Sequence, residues 1–313
     1  MIPVQHTINT PYMVGPVHCY SLDVAGDLVL FDTGPPTTEA KAYLSKHLDL
    51  SQLKYVIVTH CHVDHCGLLR WLEEETSATC YLPFHDHQKV VRQAEHQQLM
   101  AELLRQVGFD AAFLERFRQR ITDGTIFPQL PEEYQIIEEG LPDELGIAAV
   151  ACPGHSQSDL VLTGDGWAVT GDVLLEDIFQ TPMLDIDLKS GHRFNNYWAY
   201  CNSLETLNGL AGKVILPGHH ETVADIAGCL LFYVNKLLER AMRIKQVPAA
   251  LPAAQVIRSF PNYSEDDPII NYLKVSEIVF LRDFLADPQR LRAALVKIDL
   301  FSPIEELFSR VAG

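Results

Sequence analysis

The chain has 313 residues, 47% of them apolar, which is enough to bury one large core and leave residues for a second unit. Its net charge of −17 repels polyphosphates and sets nucleic acid aside as a partner, while no apolar run approaches the roughly 18 residues of a membrane span. Seven scattered cysteines without a C-x-x-C spacing read as free thiols, and residues Met1 to Thr10 lack the basic flank and apolar stretch of a secretory leader, so the expectation is a cytoplasmic protein.

Taken in chain order, the first element is the run Asp27 to Phe31, which leads into Asp32-Thr33-Gly34. Tyr55 to Thr59 then runs straight into His60-Cys61-His62-Val63-Asp64-His65. Residues 83–124 break the strand pattern. Met100, Leu103, Leu104 and Val107 fall at helical spacing, as do Phe113, Phe117 and Ile121, so a helical insertion is expected here, closed by Asp123-Gly124. Three further short runs follow. Ala148 to Cys152 leads through Pro153-Gly154 to His155, Trp167 to Thr170 through Gly171 to Asp172, and Lys213 to Leu216 through Pro217-Gly218 to His219. Each has the length of a buried strand and ends in a turn carrying a metal-capable side chain. Strands that end this way should converge on one edge of a layered sheet and present those side chains to a cleft.

From about residue 224 the pattern is helical again. Leu230, Val234, Leu237, Leu238 and Ala241 form one apolar stripe, and Ile278, Leu281 and Leu285 begin another. The chain therefore divides into residues 1–223, a strand-rich domain with its insertion, and 224–313, a helical region with a linker-like Pro/Ala stretch at 248–254. The insertion and the tail are candidates for a substrate cap, with Met100 and Phe113 facing the cleft.

Three histidines and one aspartate within the six residues His60 to His65 place imidazoles and a carboxylate together at a strand-to-helix turn. Neutral imidazole suits zinc and its first-row neighbours, and a carboxylate adds an anionic ligand. Other polar residues read differently. Asp86, between His85 and His87, reads as a helix cap. His18 lies in a strand near the cleft mouth, His192 and Arg193 in a solvated loop, and His220 points away from its neighbour His219. Cys61 and Cys66 flank the cluster, but histidines already fill the donor set.

His60, His62, Asp64 and His65 match the H-x-H-x-D-H motif of the metallo-β-lactamase superfamily, and Gly154-His155, Gly171-Asp172 and Pro217-Gly218-His219 follow in the family's order. Over about residues 14 to 222 the chain resembles that superfamily. The resemblance implies an α/β fold, the αββα sandwich, here with a helical insertion and a C-terminal helical extension. It implies one metal on His60, His62 and His155, a second on Asp64, His65 and His219, and Asp172 bridging the two. Asp64 and Asp172 would then flank a hydroxide shared by the cations, which acts as nucleophile. Asp32 would hold a ligand histidine in its tautomer. Two such cations, roughly 3.5–4 Å apart, lower the pKa of a bound water toward about 7. Zinc is the first candidate, with iron or manganese also accommodated by such donors.

Within the superfamily the all-histidine sets and the helical extension are similar to glyoxalase II and related thioesterases. A thioester is therefore the expected substrate, with a lactone or phosphodiester as the alternative. A metal-binding regulator with vestigial activity is the reading from another class. The partner expected is a small molecule, with no nucleic acid and no membrane, and nothing in the sequence calls for an oligomer.

Overall fold

A computed structural model describes residues 1–122, 128–260, 263 and 267–313. Six strands form the first sheet in sequential order: β1 (Val4–Ile8), β2 (Val17–Val24), β3 (Asp27–Phe31), β4 (Leu53–Ile57), β5 (Thr79–Leu82) and β6 (Gln135–Ile136). The first three are antiparallel, and from β3 to β6 the pairing is parallel. The second sheet contains β7 (Ala148–Ala151), β8 (Leu160–Gly164) and β9 (Trp167–Gly171), and a short ribbon, β10 (Ile186–Asp187) and β11 (His192–Arg193), stands apart. Strand β12 (Val214–Pro217) completes the second sheet in the order β12-β9-β8-β7, parallel to β9.

Side-chain alternation explains why these sheets stack. Val29 and Phe31 of β3 and Tyr55 and Ile57 of β4 point at the second sheet, where they meet Leu160, Leu162, Trp167, Val169 and Leu216. Leu30, between Val29 and Phe31, points the other way, onto Leu44 of α1 (Thr38–His47). A strand segment buried on both faces must be apolar at every position, which is why Val29 to Phe31 of β3 is an unbroken apolar run. Short α2 (Val63–Cys66) and α3 (Leu69–Glu75) complete the outer layer, with Leu69 and Leu72 inward.

The insertion supplies α4 (Phe84–Val91), α5 (Gln93–Gln106) and α6 (Ala111–Thr122). Met100, Leu103, Leu104, Phe113 and Phe117 are all buried, as their spacing predicts. The expected closing turn, Asp123-Gly124, lies outside the described residues. After α7 (Asn196–Asn208) the chain crosses β12 and enters α8 (Ile226–Ile244), α9 (Ala253–Val256), α10 (Pro268–Ala286), α11 (Pro288–Lys297) and α12 (Glu305–Ala312). Leu230, Val234, Leu237, Leu238 and Ala241 of α8 pack in one apolar cluster with Val161 and Ala168 of the second sheet and with the insertion. Helix layers thus cover both outer faces of the paired sheets, the αββα arrangement.

Three expectations fail at this level. Strand β7 is not buried: it is the edge of its sheet, and Ala148 and Ala151 are exposed. The stretch 248–254 is no linker. Ala253 and Ala254 are buried, and Ala254 N–H donates to Val107 O at 2.9 Å, which ties the tail to the insertion. Met100 and Phe113 sit in the shared apolar cluster rather than on a cleft wall, and Phe113 stacks on Phe109.

Candidate metal centre

The seven candidate donors come from both sheets. His60 lies three residues past the end of β4, Asp172 directly follows β9, and His219 and His155 follow β12 and β7 across short turns. His62 is the N-cap residue of α2, so Asp64 and His65 occupy that helix's first turn. Hydrogen bonds to backbone carbonyls lash the two sheets together at this end. Leu160 N–H donates to Thr59 O at 3.0 Å, His18 N–H to Gly218 O at 2.7 Å, and the Tyr20 hydroxyl to Pro217 O at 2.7 Å.

The side chains meet in two groups. His60, His62, His155 and Asp172 form one, and Asp64, His65 and His219 the other, with the donor atoms of each group within 4.8 Å of one another. His62 Nδ1 is 2.9 Å from both His60 Nε2 and His155 Nε2. Asp172 lies between the groups, with Oδ1 3.3 Å from His65 Nε2 and 3.6 Å from His219 Nε2, and Oδ2 3.7 Å from His155 Nε2. Asp64 Oδ2 is 3.4 Å from His219 Nε2.

Supporting contacts decide which ring nitrogen faces inward. His155 Nδ1 is 2.7 Å from Thr181 O, and His219 Nδ1 is 2.7 Å from Pro16 O. A carbonyl only accepts, so each Nδ1 is the donor and each Nε2 turns inward. His65 Nδ1–H donates to Asp32 Oδ2 at 2.8 Å. Asp32 also accepts from Thr59 N–H at 2.8 Å and from the Thr59 hydroxyl at 3.0 Å. With its proton committed to Asp32, Thr59 Oγ1 accepts from His60 Nδ1–H at 3.0 Å. One carboxylate therefore orients an imidazole in each group, directly for His65 and through Thr59 for His60.

Three buried atoms at the meeting point have no hydrogen-bond partner: His65 Nε2, His219 Nε2 and Asp172 Oδ1. Orphaned polar atoms this deep are costly unless something satisfies them. Lone pairs of imidazole and carboxylate, aimed at common points and stripped of donors, fit divalent cations.

Electrostatics say the same. Burial drives His60 well below its ordinary value, and burial with the neighbouring His155 takes His62 down to about 3, so both rings are neutral. Burial opposes charge on His65 as well, but Asp172 and Asp32 outweigh it and hold that ring well above its ordinary value. His219 is raised against burial by Asp172 and Asp64. Burial also opposes charge on the two carboxylates, yet His219 and His65 keep Asp172 well below the carboxylate range, and His219 keeps Asp64 down. The carboxylates thus need positive charge at this spot, and bound cations would take over that role.

Gly218, just before His219, is a steric requirement. A Cβ there would sit 2.6 Å from Asp172 Oδ1 and 2.6 Å from His65 Cε1. Gly171, before Asp172, combines φ +49° with a Cβ position 2.6 Å from Thr59 Oγ1.

Residues judged peripheral in the sequence have defined places. Asp86 does not cap α4: the N-cap is Pro83, and Asp86 sits inside the first turn, where its Oδ2 accepts from Cys61 N–H at 2.8 Å. His18 is buried in β2, and its Nε2–H donates to His220 O at 2.7 Å, bracing the turn that carries His219. Arg193 is not a solvated loop residue. It forms a two-pronged pair with Asp283 of α10 at 2.7 and 2.8 Å. His220 is exposed, and Cys61 and Cys66 are free thiols. The supports that sequence reading missed are Thr59 and the carbonyls of Pro16 and Thr181.

The model of a protein family described as the metallo-beta-lactamase superfamily matches residues 12–219, more than half of the chain. The chain belongs to the metallo-beta-lactamase superfamily. A probable metallo-hydrolase of Bacillus subtilis strain 168, YqjP, is 29% identical over 256 residues, 77% of this chain and 78% of that relative. Among solved structures, a metallo-beta-lactamase family protein of Thermus thermophilus superposes with a TM-score of 0.70 at 21% identity, covering 92% of this chain and 94% of its own. A beta-lactamase domain protein of Burkholderia ambifaria gives 0.67 at 19% identity, covering 90% and 85%. Identities this low speak for the fold alone. Coverage of 92% and 90% of this chain carries the likeness of fold past residue 219, where the family match ends.

Proposed function

We propose that this superfamily member is a hydrolase that holds two divalent cations, zinc the first candidate, and cleaves a thioester. The observation that carries the metal reading is the convergence of lone pairs with orphaned atoms at its centre. In this reading His60, His62 and His155 hold one ion, Asp64, His65 and His219 the other, and Asp172 is shared. Bound cations of this kind supply a water-derived nucleophile near neutral pH and a Lewis acid for the scissile carbonyl. The chain's own contribution is placement. Asp32 and Thr59 set two imidazoles, Thr181 and Pro16 set two more, and the glycines at 171 and 218 let the strands approach.

Leaving group and charge support a thioester. A thiolate, with a parent pKa of about 8.5, departs without a dedicated proton donor. A phosphodiester would have to approach a chain of net charge −17.

Metal analysis of the purified protein, combined with turnover of acyl-thioesters, lactones and phosphodiesters, tests both parts. Two ions per chain and a preference for thioesters are expected. Zero or one ion at full activity rejects the two-cation reading, and preferential cleavage of a lactone or phosphodiester rejects the thioester.

A further inference from the structure

Outside the seven donors, a compact group of ionisable side chains, two buried and two half-buried, lies where the insertion meets the metal loop. Asp86 and Lys89 belong to α4, His96 to α5, and Asp185 to the segment before β10. Lys89 Nζ is 3.1 Å from Asp86 Oδ1 and 2.7 Å from Asp185 Oδ2. His96 Nε2 is 2.7 Å from Asp185 Oδ1, which also accepts from Ile186 N–H at 2.8 Å. Asp86 and Asp185 are 6% and 8% exposed, so both carboxylates have lost nearly all their water.

Anchoring a helix does not require such a group. Apolar side chains of similar volume anchor as well or better, because burying charge carries a desolvation cost that a pair at best recovers. What an apolar side chain cannot do is accept a hydrogen bond, and that is what Asp86 does at its other oxygen. Its Oδ2 takes the backbone N–H of Cys61 at 2.8 Å. Cys61 is the residue between His60 and His62, in the segment that has left β4 and not yet entered α2. The torsions at Cys61 set the distance between those two imidazoles, so holding its N–H holds the pair. Asp86 needs both oxygens for this: one meets Cys61 and the other meets Lys89.

We propose that Asp86 is a positioning residue for the half-site made by His60, His62 and His155, and that the Lys89–Asp185–His96 chain keeps its carboxylate aimed at Cys61. The inserted helices thereby reach the metal loop through the hydrogen bond from Cys61 N–H to Asp86 and govern one ion more than the other. This rests on the reading of the histidines as metal ligands. The two are separable, because that reading is judged on the wild-type protein and this inference on variants compared with it.

The test uses the full chain, stripped of metal and titrated with zinc against a competing chelator, with Asp86→Ala and Asp86→Asn beside the wild type. Two ions on the wild type satisfy the underlying reading, and fewer would reject that reading before any variant is compared. Asp86→Ala is expected to weaken one of the two ions by about 10–100-fold, the scale for losing a support behind a ligand, and to leave the other unchanged. Asn has one acceptor oxygen, so it serves either Cys61 or Lys89 but not both. Asp86→Asn should weaken the same ion by less, and it decides the question if the alanine variant does not fold. Hydrogen exchange at the Cys61 amide, measured without metal, should be slow in the wild type and faster in Asp86→Asn. A residue that merely stabilised the fold would lower the melting temperature and weaken both ions alike. That outcome, or two unchanged affinities with an unchanged Cys61 amide, overturns the proposal.

Discussion

Asp32 has φ +57°, in the left-handed region that aspartate and asparagine enter more readily than most residues. Asp32→Asn can therefore keep the backbone while removing the charge that orients His65 and, through Thr59, His60. We expect metal affinity to fall by about 10–100-fold, together with a lower metal-free melting temperature, because the asparagine NH2 faces donors that both Asp32 oxygens now accept from. A chelator competition beside a thermal melt checks it, and an unchanged affinity would remove Asp32 from its supporting role. Gly218→Ala attacks the same site sterically. The added methyl meets Asp172 Oδ1 and His65 Cε1 at 2.6 Å, so donors must move. Metal content should fall below that of the wild type and turnover drop on the order of 10-fold or more, while far-UV circular dichroism stays as it was. Residue chemistry was legible where it is carried by residue type and spacing, as in His60 to His65 and the Gly-His and Gly-Asp turns. Thr59 was silent because a β-branched residue at a strand end reads as part of the strand. Pro16 and Thr181 act through their carbonyls, which every residue has, so no side-chain pattern marks them.

Helices α4 and α5 show a similar division between what a pattern reveals and what packing adds. The apolar stripes of α5 and α6 were readable, but the place of Asp86 in α4 was not, because the cap reading and the buried reading begin from the same residue at a helix start. Strand β7 misled for the opposite reason. Four short apolar residues suit a buried strand, yet alanine loses little by exposure and so tolerates an edge. The stretch 248–254 has the composition of a linker, and only the position of Val107 turns it into a packed contact. The charge network on these elements gives a prediction with a definite sign. Burial opposes ionisation of Asp185, but Lys89 and His96 outweigh it and hold the carboxyl below its ordinary value. A depressed carboxyl contributes stability above its unfolded-state value of about 3.9, and the contribution fades as pH falls through the folded value. Asp185→Asn should thus cost the metal-free protein stability that persists from about pH 8 to pH 5, at most about 3–5 kcal/mol for breaking a buried pair. The cost should shrink only below roughly pH 4. Urea titrations across that range measure it, and a cost that already disappears between pH 7 and 5 would contradict the assignment.

The molecule as a whole joins parts that the sequence divided near residue 224. Val161 and Ala168 of the second sheet, Leu103 and Phe113 of the insertion, and Leu237 and Phe284 of the tail belong to one buried cluster. Phe117 of α6 packs its ring on Tyr272 of α10 with centroids 5.2 Å apart, and Arg193 clamps Asp283. A composition shift marks where strands give way to helices. It carries no information about which surfaces those helices cover, so the split could be read while the shared core could not. Phe113→Ala should consequently cost about 3–5 kcal/mol, the scale for a buried phenylalanine, and reduce turnover of short and long acyl substrates alike. A selective loss on long chains would return Phe113 to a substrate-facing role. Cooperativity gives the sharper test. If the tail were a separate unit, amides in α8 and α10 would lose hydrogen-exchange protection at lower denaturant than those in β8 and β9. One shared core requires them to lose it together, because removing the helices uncovers the outer face of the second sheet. Segment-resolved exchange on the metal-free protein across a urea series should therefore give one coincident midpoint for all four elements. Phe284→Ala, in the tail, should shift the midpoints of β8 and β9 as far as those of α8 and α10. Separate midpoints, or a shift confined to the helices, would make residues 224–313 a domain of their own.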